Sequence, residues 1–123
     1  MKIMVAAALA LTAAGASAQT LKQQYPSCDL KAQRALKGDM GGSIKDATQA
    51  HIAMRANIPQ ADIGNARKAR RLTQAQTDEL TGRVDAVRAG ADGYTQQQGF
   101  LSAAEKASYD RELDAVAGQV CHR

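Results

Sequence analysis

RLTQAQTDELTGRVDAV (residues 71–87) and FLSAAEKASYDRELDAVAGQV (residues 100–120) are the two stretches that decide the fold of this chain. Near its start each contains a leucine and then a hydroxyl residue, which is followed three positions later by Gln or Glu. This order is the pattern of a capping box at the start of a helix. Thr73 pairs in this way with Gln76, and Ser102 with Glu105. The two stretches therefore predict two helices that begin in the same manner.

After each start, apolar residues recur in steps of three and four, which places their side chains on one helix face. The stripes are Leu80, Val84 and Val87 in the first helix, and Tyr109, Leu113, Val116 and Val120 in the second. Two stripes of similar length predict an antiparallel helical hairpin. Charged residues between the stripes, Asp110 and Asp114 among them, are expected on exposed faces, where ion pairs contribute little to stability.

The rest of the chain also predicts helices, because no segment alternates apolar and polar residues as a strand does. Ser27 is the expected cap of a short helix that stops at Gly38, and Ser43 with Asp46 is a second start signal. The stripe expected after this second start is Ile44, Ala47, His51, Met54 and Ile58. Pro59 is expected to interrupt or kink that helix, with a helical turn over 61–71.

Residues 1–18 have the order of a cleaved signal peptide, with Lys2, a short apolar segment and a small-residue site ending at Ala18. The apolar segment is shorter than the roughly 20 residues that cross a bilayer. We therefore expect a periplasmic or secreted protein without a transmembrane segment after signal removal. Residues 19–26 are expected to form an extended lead-in, and residues 27–123 a single all-α domain of about four helices.

Cys28 and Cys121 are the two cysteines of the chain. An exported protein meets an oxidising compartment, so we expect these residues to form one disulfide that closes the domain. The chain-entropy model assigns a loop of this size about 4–5 kcal/mol. Such a bond is important here because the chain has no Trp, one Phe and three Tyr to build its core.

The sequence around the second capping box resembles the second half of an EF-hand loop, in which a glycine, an aliphatic residue, a hydroxyl or acid and a closing Glu follow one another. The matching residues are Gly99, Leu101, Ser102 and Glu105, whereas the calcium-binding positions hold Tyr94, Gln96 and Gln98. The resemblance implies a degenerate EF-hand-like helix-loop-helix pair, as in small exported proteobacterial proteins of unknown role. Loss of calcium binding is the expectation. An irregular metal-binding loop stays open, and it would use Asp92, Gln96, Gln98 and Glu105.

One concentrated basic cluster is the candidate interaction patch, and it consists of Arg67, Lys68, Arg70 and Arg71. The 16 basic and 12 acidic residues give a net charge of +4, or +3 once the signal with Lys2 is removed. Such a patch suits anionic lipid head groups, polysaccharide phosphate or an acidic protein. Alternatively, the cations lie at a solvated helix end and face its dipole. Nucleic acid is not expected, because no aromatic residues interleave with the cluster.

No motif for catalysis or cofactor binding is found, so we expect no enzyme activity and no cofactor. His51 is interpreted as a partly buried histidine with one satisfied nitrogen. The leading hypothesis is a non-catalytic periplasmic binding module that engages a protein or envelope component. Two alternatives stay open. One is binding of a divalent metal, near Asp92 and Glu105 or through His51 or His122. The other is a small exported enzyme inhibitor or immunity-type protein.

Overall fold

A computed structural model describes the backbone of residues 13–122 and the side chains of residues 19–122. The β-type pairing in this part of the chain is a single antiparallel bridge between Gly41 and Ile44. The helices are α1 (Ala13–Gln24), α2 (Leu30–Arg34), α3 (Ala47–Lys68), α4 (Gln74–Gln98) and α5 (Ala103–Cys121), with a 3₁₀ turn at Pro26–Cys28. The expected all-α fold is confirmed.

The three long helices α3, α4 and α5 pack against one another and form the body of the fold. The four residues 99–102 join α4 to α5, so the expected C-terminal hairpin is present. Both capping boxes are formed, at Thr73 and at Ser102. The core consists mainly of Ile52, Ala56, Ile63 and Ala66 from α3, Leu80, Val84, Val87 and Ala91 from α4, and Leu113, Val116 and Val120 from α5.

Helix α3 begins at a residue other than the predicted one, and Pro59 does not interrupt it. Its cap is Asp46, whose carboxylate accepts a hydrogen bond from the Gln49 amide at 2.9 Å, and Ser43 lies outside the helix. The helix continues through Pro59, which is buried. A proline inside a helix lacks one backbone donor and strains the preceding turn. Here the packing of one continuous helix against α4 and α5 outweighs that cost.

The buried face of α3 is also rotated from the expected stripe. Ile52, Ala56 and Ile63 are almost fully buried, whereas Met54 and Ile58 are half-buried and Ala47 is exposed. The sequence prediction followed one run of residues at helical spacing. The structure keeps His51 on the inward face but combines it with Ile52, Ile63 and several alanines, which also carries Arg55 into the interior.

The N-terminal segment is helical where an extended lead-in was expected, because α1 continues to Gln24. Pro26 disfavours a helical conformation at the residue before it, so α1 ends close to this proline. Proline is tolerated at a helix start, and Pro26 begins the 3₁₀ turn. The cap of α2 is Asp29 instead of Ser27, which is buried in the 3₁₀ turn. The greater part of the expected signal, residues 1–12, lies outside the described residues.

Cys28 and Cys121 are bonded, with their Cα atoms 5.8 Å apart. The expected disulfide is therefore confirmed, and it joins the 3₁₀ turn to the end of α5 across 93 residues of sequence.

Between residues 13 and 122, none of the helices has the length and hydropathy needed to cross a membrane.

Candidate functional site

The four residues of the predicted patch lie together where α3 passes into α4. Arg67 and Lys68 belong to the last turn of α3, where the carbonyl end of a helix favours cations. Arg70 and Arg71 follow in the connection to α4, which begins at Gln74. We call this corner, residues 67–71, the basic turn.

Arg70 has an unusual backbone conformation. Its φ is 60°, and it is the one non-glycine residue with positive φ in the described part of the chain. The N–H of Arg71 donates to the Ala66 carbonyl at 2.9 Å, and the N–H of Arg70 to the Arg67 carbonyl at 3.0 Å. These bonds form a Schellman motif, whose left-handed position is usually glycine. A residue with a side chain costs about 1 kcal/mol there.

The side chains of the basic turn differ in their surroundings. Lys68 and Arg70 are exposed, and neither side chain has a hydrogen bond or ion pair within the described residues. Arg67 donates from Nε to Gln74 Oε1 at 3.2 Å. Arg71 stacks its guanidinium 4.7 Å from the ring centre of the buried Tyr25. The basic turn therefore presents Lys68 and Arg70 to solvent, whereas Arg71 packs against the core at Tyr25.

A second group of charges lies in the interior between α3 and α5. Arg55, which is 2 % exposed, donates from Nη1 to Asp110 Oδ1 at 2.7 Å and from Nη2 to Asp114. His51 Nε2 is 2.8 Å from the same Asp110 oxygen. We call His51, Arg55, Asp110 and Asp114 the buried ionic cluster. Its edge is formed by Lys106, whose Nζ donates to Asp110 Oδ2 at 2.7 Å, and by Arg34, which pairs with Asp114.

The position of Asp110 corrects the prediction that its helix face is exposed, since this residue is 9 % exposed. Burial by itself raises the pKa of this carboxyl. Hydrogen bonds from Lys106, Arg55 and His51 outweigh that effect and lower the pKa to about 2. The carboxylate is therefore ionised and fully engaged at neutral pH. Its partners lie on two helices, so the cluster ties α3 to α5.

His51 has more contacts than the sequence indicated. The residue is 5 % exposed, and both ring nitrogens have partners. Nδ1 bonds the Leu36 carbonyl, while Nε2 bonds Asp110. The predicted single satisfied nitrogen is wrong, because the second partner comes from a loop that the helical pattern did not place.

The residues proposed for a metal-binding loop bond to different protein partners and do not form one site. Asp92, Gln96 and Gln98 are part of helix α4, which continues to Gln98, so the expected loop conformation is not present. The Asp92 carboxylate accepts from Gln49 Nε2 at 2.8 Å. The Glu105 carboxylate accepts from the Ser102 amide and from Gln98, and the backbone bond is the main reason that its pKa is lowered. Within the described residues, no three His, Cys, Asp or Glu side chains are grouped to hold a metal ion.

The buried ionic cluster was missed from the sequence, although a signal for it is present. Asp110 and Asp114 are four residues apart, as are His51 and Arg55. Residues four apart lie on the same helix face. A cationic pair on one helix can therefore meet an acidic pair on another. The α5 pair also continues in helical steps to Ala117 and Cys121, which identifies a second inward face of that helix.

No protein-family model matches this chain, and neither do the curated protein sequences or the solved structures with which it was compared.

Proposed function

We propose that this chain is an exported, non-catalytic interaction module that binds an anionic protein or envelope component through the basic turn. The observation that supports this most directly is Arg70. An exposed arginine occupies a left-handed position that glycine would fill at lower energy. Local strain that a simple substitution would relieve is often retained where the side chain has a function.

The distribution of charge supports the same proposal. The cations of the buried ionic cluster face carboxylates and connect helices. Lys68 and Arg70 have no such role and extend into solvent beside the half-buried Arg67. A cation near an anionic membrane surface contributes about 1 kcal/mol to binding. Two or three such residues at one corner are enough for weak, salt-sensitive association.

Export is the second element of the proposal. The disulfide is compatible with an exported protein, because such bonds persist mainly in oxidising compartments. The proposal expects the protein in the periplasmic or secreted fraction, with Gln19 as its first residue. N-terminal sequencing of that fraction tests this directly. Uncleaved protein in the cytoplasm, with free thiols at Cys28 and Cys121, would contradict the expected export.

Arg70→Gly separates function from stability, because the two effects have opposite signs. Relief of the left-handed arginine is expected to raise the melting temperature by about 4–8 °C. The same change is expected to weaken binding to phosphatidylglycerol vesicles or to polyglutamate by about fivefold. Vesicles represent an anionic envelope surface and polyglutamate an acidic protein, so the probe that responds identifies the class of partner.

Two further variants control this experiment. Arg111→Gln removes an exposed charge from the middle of α5 and is expected to leave binding unchanged. Arg70→Lys keeps the charge and is expected to bind as the natural protein does. Two results would contradict a specific role for the basic turn. In one, Arg70→Gly binds both probes as tightly as the natural protein does. In the other, Arg111→Gln loses as much binding as Arg70→Gly.

A further inference from the structure

His51 lies between two groups that only accept hydrogen bonds. Nδ1 faces the carbonyl oxygen of Leu36, and Nε2 faces the carboxylate of Asp110 at 2.8 Å. A neutral imidazole has one N–H and one lone pair, so it can donate to only one of these acceptors. Both bonds form together only when both nitrogens carry a proton. The arrangement of partners therefore assigns the imidazolium form to His51.

The charges around His51 agree with this assignment. Asp110, Asp114 and Arg55 are the other members of the buried ionic cluster, and together they carry a net charge of −1. A proton on His51 makes the buried set neutral, which reduces the cost of burying an unbalanced charge. Lys106 and Arg34 oppose that proton, but their side chains are 36 % and 60 % exposed, so solvent screens them. Helix α4 contributes no hydrogen bond to His51 within the described residues.

We propose that the His51 imidazolium is a pH-sensitive latch that fastens the linker between α2 and α3, residues 35–46, to the helix bundle. The linker is held at its start through the Leu36 carbonyl, and at its end through Asp46. Asp46 caps α3 and also accepts a hydrogen bond from the Leu101 amide at 3.1 Å. Only the first of these two attachments depends on a histidine proton.

The structure also determines which bond breaks when the proton is lost. A carboxylate is a stronger acceptor than a peptide carbonyl, so the remaining proton stays on Nε2 beside Asp110. The Nδ1 lone pair then faces the lone pairs of the Leu36 oxygen, and the contact becomes repulsive. The linker is released at Leu36, while α3 and α5 stay paired through Arg55 and Asp110.

Release of the linker changes the surface next to it. Ser43 and Ile44 of the linker form one wall of a cavity of about 170 Å³, whose other walls include the fully buried Ile52 of α3 and Ala91 of α4. At Gly38 the linker approaches α3 so closely that an added Cβ would lie 1.8 Å from the Ala50 carbonyl oxygen. Loss of the latch therefore loosens the linker wall of this cavity as pH rises, while Asp46 still holds the end of the linker.

Nitrogen NMR of the histidine rings in the full chain tests the protonation state without a variant. At about pH 6 both ring nitrogens of His51 are expected to show the signature of a protonated imidazolium, with two ring protons slow to exchange. A single ring proton at that pH would overturn the proposal.

Hydrogen exchange of the Gly41 and Ile44 amides, which bond each other's carbonyls, measures release of the linker. After correction for intrinsic rates, their protection is expected to fall about tenfold between about pH 6 and about pH 8, because one hydrogen bond is lost. His51→Gln should abolish this pH step, whereas the matched control His122→Gln should keep it, since that histidine is exposed.

Gly38→Ala tests release of the linker independently of the His51 proton. Its methyl group cannot be accommodated against Ala50, so the amides are expected to exchange rapidly at both pH values. A pH step that persists in His51→Gln, or protection that does not change with pH in the natural protein, would overturn the latch.

Discussion

Helix α5 makes two long contacts, and they are held together by different forces. Toward the core that it shares with α3 and α4, it presents an apolar stripe, in which Leu113, Val116 and Val120 are at most 1 % exposed. Against α3 it presents two carboxylates, Asp110 and Asp114, which pair with Arg55 and His51. One helix therefore has an apolar contact in the shared core and an ionic contact with α3.

The two contacts differ in how they respond to loss of a single partner. An apolar contact loses the transfer energy of the removed atoms plus a cavity term. An ionic contact loses more when one charge is removed, because the opposite charge stays buried without compensation. The ionic contact is therefore the more fragile of the two, although a well-packed apolar replacement of both partners can equal it in stability.

Asp110→Ala is expected to have the largest effect. It leaves His51 without its carboxylate partner and Arg55 with the carboxylate of Asp114 alone, and the free energy of unfolding should fall by about 3–5 kcal/mol. Urea unfolding followed by circular dichroism measures this loss. The matched control is Glu112→Ala on the same helix, where the acid pairs with Arg83 at the surface and the expected loss is below about 1 kcal/mol. Equal losses in the two variants would show that the buried cluster is not special.

Leu113→Ala examines the apolar side of α5. The side chain is 1 % exposed, so its truncation should lower the free energy of unfolding by about 2–4 kcal/mol. Because the removed group is uncharged, this loss should be the same at pH 3 and pH 7. Urea titrations at the two pH values measure it, and a strong pH dependence would contradict an apolar origin.

The apolar contact could be predicted from sequence because it depends on local spacing. The steps between Leu80, Val84 and Val87, and the capping box at Thr73, lie within one helix and require no knowledge of its partner. The cysteine pair was also predictable, since the chain has only Cys28 and Cys121. The basic turn was visible as a charge cluster, although the left-handed Arg70 was not, because that conformation arises only when α3 ends and the chain turns into α4.

The ionic contact could not be predicted in the same way. Asp110 lies among other charged residues on α5, and its partner Arg55 is 55 residues away in sequence. A local pattern therefore places it on the solvent side. The face of α3 was misjudged for a related reason, because local spacing allows a stripe through Met54 and Ile58 as well as the buried one through Ile52. Only the three-helix arrangement shows that a charged stripe and an alanine-rich stripe meet.

The ionic contact, unlike the apolar one, should weaken in acid, and the expected loss in the free energy of unfolding is smaller than in the variants above. The pKa of Asp110 is about 2 in the folded protein, below its ordinary value of 3.8. Its contribution to stability is therefore complete above about pH 4 and is lost as pH falls toward 2. The loss amounts to about 2 kcal/mol. Asp110→Asn should flatten this part of the stability profile, and an unchanged profile would assign the acid sensitivity to other carboxyls.

The most direct measurement is a double-mutant cycle with Arg55→Met and Asp110→Leu in urea unfolding. Each single variant removes one member of the central pair, leaving Arg55 with Asp114 alone or Asp110 with His51 and Lys106, and should lose about 3–5 kcal/mol. The double variant is expected to be more stable than either single one, by about 2 kcal/mol or more. Losses that simply add in the double variant would contradict the claim that a buried ion pair fastens α3 to α5.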